Sequence, residues 1–174
     1  MLKRIFYVVA ILSSTVIPVL AEVPACNLPD VQKPPSAMPF SISGDVSKPF
    51  TMNAEDAGRF TAVKVRLNQP WERGQIEGTF EGVSLVDLLQ AADPITPADK
   101  AGLLNSTVSA QAIDGYMVAV SYSEADPKLV QIPVMVAFSC NGRAITPTLI
   151  APGDLSSTRY VHELSAITLK APQQ

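Results

Sequence analysis

The chain has 174 residues, 47% of them hydrophobic and 17% charged, with a formal net charge of −3. That is too apolar for disorder and of a length for one domain. The acidic balance leaves no basic footprint for nucleic acid.

The first residues, MLKRIFYVVAILSSTVIPVLAEV, read as a secretory signal. Lys3 and Arg4 open it, Ile5 to Leu12 form the apolar core, and Val19-Leu20-Ala21 is a small-residue exit, so cleavage is expected after Ala21. The competing reading, a membrane anchor, is disfavoured because Ser13, Ser14, Thr15 and Pro18 break the apolar run short of the ~20 residues a spanning helix needs. Removing residues 1–21 takes two of the 13 basic side chains and leaves 11 against 16 acidic ones, a net charge of −5. An exported, periplasmic chain without direct membrane insertion is expected. A lipid on Cys26 would need processing at Val23-Pro24-Ala25, where Pro24 and Glu22 fit poorly.

Five prolines between Glu22 and Pro39 and no hydrophobic period predict an extended lead-in over residues 22–38. The domain is predicted over residues 39–172. Phe40 and Ile42 alternate toward a turn at Gly44-Asp45, a first strand. NAEDAG predicts a short helix, with Asn53 as cap and Gly58 as stop. FTAVKVRL alternates Val63, Val65 and Leu67 against Lys64 and Arg66, the period of a half-buried strand. NQPWERGQIEGTFEG then reads as an aromatic and glycine-rich loop. It runs into a helix capped by Ser84, with Asp87 in its first turn and Leu85, Leu88, Leu89 and Ala92 as buried stripe. TPADKAGLL predicts a second helix from Thr96. Five strands follow: TVSAQAI, GYMVAVSY, IPVMVAFS, RAITPTLI and YVHELSAITL. Asp114-Gly115 and Asn141-Gly142 are hairpin turns, and SEADPKL is one helical turn. The pattern predicts an α+β fold with a mixed, mostly antiparallel sheet and short helices.

One histidine, His162, and no closely spaced cysteine pair argue against the usual zinc sites. Phosphate-cradling and dinucleotide fingerprints are absent, as is the nucleophile elbow. A serine triad would have to recruit His162 with Ser156 or Ser157, yet His162 reads as a solvent-facing residue of an alternating strand. What remains is a set of loop residues suited to ligand contact: Trp71, Arg73, Gly74, Phe80, Glu81 and Gly82, then Asp114 and Tyr116, then Asp154, Ser156, Ser157 and Arg159. Taken singly, Trp71 and Phe80 could equally cover the core, and Arg159 could be a surface ion-pair partner. Cys26 and Cys140, alone in an oxidising compartment, pair most simply as a disulfide; the competing reading leaves Cys140 an isolated thiol beside its turn.

PFSISGDVSKPFTM, a tryptophan followed by FEGVSLVDLLQAA, then QAIDGYMVAVSY, VMVAFSCNGRAI and APGDLSSTRYVHELSAITL occur in this order over about residues 39–170. In order and spacing they resemble the molybdopterin-binding domain of the sulfite oxidase superfamily. The resemblance implies a sulfite-oxidase-type fold with a pterin cleft built by these loops. Catalytic members hold molybdenum through a cysteine between the strand equivalent to AVKVRL and the helix equivalent to SLVDLL, but here no cysteine lies between Cys26 and Cys140. The chain is more similar to small exported members that keep the pterin cleft without metal chemistry, some of which report to the periplasmic domain of a membrane cyclic-di-GMP enzyme. The implied ligand is a pterin or molybdopterin-like molecule with no metal, and the implied function is non-catalytic binding and signalling. The alternative is a molybdenum-cofactor oxidoreductase domain with unusual ligation. A pterin needs an aromatic face, an acceptor for its amine and ring N–H, and a donor to its carbonyl. Trp71 or Phe80 would stack, Asp114 would accept, and Arg159 with amides near Ser156 would donate, with Tyr116 beside them; Arg66 and Arg73 are weaker candidates.

Overall fold

The computed structural model describes Cys26, Leu28 and residues 38–71, 74–95 and 100–172. The predicted signal segment, most of the lead-in, Arg73 and the expected helix start at Thr96 lie outside the described residues.

In chain order the elements are β1 (Phe40–Gly44), β2 (Phe50–Met52), a 3-10 turn (Ala54–Arg59), β3 (Ala62–Trp71), β4 (Gly74–Ser84), α1 (Leu85–Ala91) and α2 (Lys100–Leu104). There follow β5 (Thr107–Ala112), β6 (Met117–Ser121), α3 (Tyr122–Ala125), β7 (Met135–Cys140), β8 (Arg143–Ile150), a second 3-10 turn (Ser157–Arg159) and β9 (Leu164–Lys170). The class is α+β with mostly antiparallel strands. Where one mixed sheet was expected there are two: a five-stranded sheet ordered β2-β1-β9-β5-β6 and a four-stranded one ordered β3-β4-β7-β8. Among the described residues the single parallel pair is β1 with β9, in register from Ser41 opposite Ala166 to Gly44 opposite Leu169. Alternation tells a strand which face to bury, not which neighbour to take, so the division into sheets is a tertiary outcome.

The core lies between these layers. Leu85, Leu88, Leu89 and Ala92 are fully buried, as the stripe on α1 predicts. β7 is buried on both faces, and Phe138 stacks toward Phe40 with ring centroids 6.3 Å apart. Both hairpin turns are where the sequence places them; Asn141 (φ 49°) and Gly142 (φ 75°) have the paired positive φ of a tight two-residue turn.

Several expectations need correction. The stretch from Asn68 to Phe80 is mostly strand: β3 continues through Trp71, and β4 begins at Gly74. Its inward positions are Leu67 and Gln69 on β3 and Ile76, Gly78 and Phe80 on β4, so the alternation persists beneath residues that suggest a loop. Pro70 is tolerated because β3 is an edge strand. Gly58 does not stop its turn, which runs to Arg59 and closes where the Phe60 amide donates to the Ala57 carbonyl at 3.0 Å. Asn53 does cap it, accepting from Glu55 N at 2.8 Å and Asp56 N at 3.2 Å. Ser84 stands at the start of α1 without a side-chain capping bond, and the first helical amide, that of Leu85, donates to the Val134 carbonyl at 3.0 Å. Its hydroxyl is buried and has no hydrogen-bond partner among the described residues.

Cys26 and Cys140 form a disulfide with Cα atoms 6.1 Å apart, closing a loop of 114 residues. The chain-entropy account assigns such a loop about 4–5 kcal/mol. Gly78 lies directly beneath it: a Cβ there would stand 2.6 Å from the Cys140 sulfur and 2.7 Å from that of Cys26.

Candidate functional site

The end of β3 is tied to the segment before β9 by one buried side chain. Gln69 Nε2 donates to the carbonyls of Pro152 at 3.0 Å and Asp154 at 2.7 Å, and Tyr160 donates its hydroxyl to Gln69 Oε1. Ser157 Oγ donates to the Pro70 carbonyl at 3.3 Å. Burial, and after it the charge of Asp154, pushes the Tyr160 phenol well above its ordinary value, so it stays a proton donor to Gln69.

The β5–β6 turn is the second wall. Asp114 Oδ1 accepts the Tyr116 amide at 2.9 Å, and the Tyr116 hydroxyl donates to the Thr158 carbonyl, crossing from this hairpin to the second 3-10 turn. Between the walls is an open cleft of about 520 Å³. Pro70 and Trp71 line it from β3, Asp114 and Tyr116 from the hairpin, and Ser156, Ser157 and Thr158 from the 3-10 turn. Tyr160 and His162 complete it from the approach to β9.

Four of the six residues proposed from sequence thus meet in one cleft: Trp71, Asp114, Tyr116 and Ser156. Phe80 does not join them. It is fully buried on β4, opposite Cys140 on β7, and offers no ring face to a ligand. Arg159 is also turned away, and its partners explain why. Its Nε donates to Asp154 Oδ2 at 2.8 Å, its terminal nitrogens reach Asp154 Oδ1 at 2.5 Å and Glu124 Oε1 at 3.1 Å, and it lines a separate depression of about 310 Å³. These hydrogen bonds, to Asp154 first and Glu124 second, outweigh burial and raise its pKa further, so it stays charged. Glu124 in turn accepts the Ser121 amide at 2.9 Å, so Arg159 couples this segment to the cap of α3. Of the other loop candidates, Glu81 pairs with Lys64 at 3.2 Å on the β3–β4 hairpin, and Gly82 packs so closely on Val136 that a Cβ would overlap its carbonyl.

Sequence reasoning missed Gln69, Tyr160 and His162. His162 is not in a strand, since β9 starts only at Leu164 after Glu163 takes a positive φ of 50°. It is half-buried on the cleft wall, and burial lowers its pKa, so the ring is neutral near pH 7 with one donor and one acceptor nitrogen. The signal for Gln69 was available: it continues the inward alternation from Leu67.

The cleft therefore offers indole and phenol rings, a carboxylate, three hydroxyls and a neutral imidazole. That set suits a flat, polar heterocycle. It does not suit thiolate ligation of a metal, because the chain's two cysteines are bonded to each other and Cys140 is fully buried. Among the described residues no three His, Cys, Asp or Glu side chains gather at one point.

No family model matches the chain, and no curated protein matches its sequence. Among solved structures it is similar to the sulfane dehydrogenase SoxCD from Paracoccus pantotrophus, with a TM-score of 0.63 and 18% identity. The match covers 83% of this chain and 41% of that one, so this chain corresponds to less than half of the enzyme's length. At this identity the likeness is one of fold, and the chain shares its fold with part of a sulfane dehydrogenase.

Proposed function

We propose that this protein is a non-catalytic, exported binding protein for a pterin-like small molecule. The sequence motifs support it by their resemblance to the molybdopterin-binding domain of the sulfite oxidase superfamily, and the shared fold supports that resemblance at the coarser level. The observation that carries the reading is the cleft itself, which assembles Trp71, Asp114, Tyr116 and Ser156 from three separate segments. In this reading Trp71 or Tyr116 supplies the aromatic face. The second oxygen of Asp114, which has no partner among the described residues, accepts from the aminopyrimidinone edge. Hydroxyls of Ser156 and Thr158, and the imidazole of His162, complete the polar contacts. Phe80 and Arg159 drop out of the ligand set. Periplasmic residence, and signalling through the periplasmic domain of a membrane cyclic-di-GMP enzyme, follow from the same resemblance and are part of the proposal.

The test is to purify the protein from its native compartment, denature it, and analyse what is released by mass spectrometry. Pterin without stoichiometric molybdenum is expected. Molybdenum with molybdopterin would overturn the non-catalytic reading in favour of a molybdenum-dependent oxidoreductase. If nothing is released, titration of added pterin against the fluorescence of Trp71, the single tryptophan, decides whether the cleft binds it.

A further inference from the structure

The two sheets have four edges, and three of them carry the devices that discourage strand addition. β2 is only three residues long, β3 carries Lys64, Arg66 and Pro70, and β8 carries Arg143 and Pro147. The fourth edge, β6, reads MVAVS: no charge, no proline, no glycine. Met117 is 62% exposed, and Ala119 is exposed as well.

The ladder tells which backbone groups of β6 face outward. The Ala112 amide donates to the Tyr116 carbonyl at 2.8 Å, and the Tyr122 amide donates to the Ser106 carbonyl at 2.9 Å. The register between them runs from Thr107 opposite Ser121 to Gln111 opposite Met117. Antiparallel pairs alternate between bonded and non-bonded, so Val118 and Val120 turn their backbone groups toward β5, whereas Met117 and Ala119 turn theirs away. The Ser121 amide, next in the outward series, is already held by Glu124 Oε2 at 2.9 Å. Among the described residues the open stretch is therefore two donors and two acceptors, arranged symmetrically about Val118.

We propose that β6 is a self-association edge, where a second copy of this chain adds its own β6 antiparallel across a two-fold axis through Val118. Met117 then exchanges both backbone hydrogen bonds with Ala119 of the second copy, and Ala119 with Met117 of the second copy, so every outward group is satisfied. A second copy is the matching occupant because the open groups are self-complementary about one point. Two net-acidic chains also meet here on a strand that carries no charge. The two five-stranded sheets become continuous. This arrangement does not depend on what the cleft binds.

Sedimentation velocity of the oxidised protein over a range of concentrations tests it. The expected result is a concentration-dependent shift from monomer to dimer. Ala119→Pro deletes an outward donor while leaving the bonds to β5 in place, and should raise the dimer dissociation constant by about tenfold or more. Met117→Lys sets two like charges near the axis and should do the same. Since Met117 is largely exposed, that variant decides the matter if Ala119→Pro disturbs the circular dichroism or the melting temperature. A monomer at every concentration overturns the proposal, and so does a dimer that the Met117→Lys change leaves intact, since it would form through another surface.

Discussion

At the scale of single residues, the same side chains shape the cleft and equip it. Asp114, which lines the cleft, spends one carboxylate oxygen on the Tyr116 amide and leaves the other without a partner among the described residues. Asp114→Asn should hold the turn, since an amide oxygen still accepts, yet weaken pterin binding by roughly tenfold, the worth of one charge-assisted hydrogen bond of about 1.5 kcal/mol. Isothermal titration with pterin measures it, and unchanged affinity would remove Asp114 from the site. His162 gives a pH signature. Its folded pKa lies below the ordinary value of 6.5 because burial disfavours the cation, so its contribution to stability is fully present above about pH 6.5. Below that the unfolded chain takes up a proton that the folded chain resists, and stability falls. Urea unfolding from pH 7.5 to 5 should show this decline in the wild type and a shallower one in His162→Gln. Arg159 belongs with structure: the Ala variant should lose roughly 1 kcal/mol, a figure kept small because the ion pairs are about one-third exposed. A large loss of ligand affinity in a variant whose segment stays ordered would return Arg159 to the site.

At the scale of elements, the β3–β4 hairpin is central. Its tip supplies Trp71, its inward Gln69 anchors the segment before β9, and its Gly78 makes room for the disulfide. Gly78→Ala should cost about 1–3 kcal/mol, because the added carbon meets two sulfur atoms held by a covalent bond rather than a side-chain end that can swing aside. Thermal melts under oxidising conditions check this. The local features of most elements were legible in the sequence: the α1 stripe, the Asn53 cap, and the turns at Asp114-Gly115 and Asn141-Gly142 follow from bonds among neighbours. The hairpin was legible only in part. Pro70, Gly74 and Gly78 suggest a loop locally; the edge position of β3 admits Pro70 to a strand, and the disulfide beside Gly78 gives that glycine a packing reason.

At the scale of the whole molecule, the disulfide joins Cys26, far outside the sheets in sequence, to the end of β7. Cys140→Ser should lower the melting temperature markedly under oxidising conditions and little under reducing ones, where the wild type loses the same constraint. Equal losses in both would mean that packing of Cys140, not the bridge, carries the effect. By itself the sequence determined the α+β class and most strands, because periodicity and turn chemistry are properties of the chain; it made a Cys26–Cys140 bridge the simplest pairing and singled out four residues that line the cleft. Tertiary structure alone decided the division into two sheets and the burial of Phe80. It also turned Arg159 into the company of Asp154 and Glu124, and placed His162 on the cleft wall. Those outcomes depend on which distant segments meet, and a side chain's environment is set by neighbours that one-dimensional order does not name.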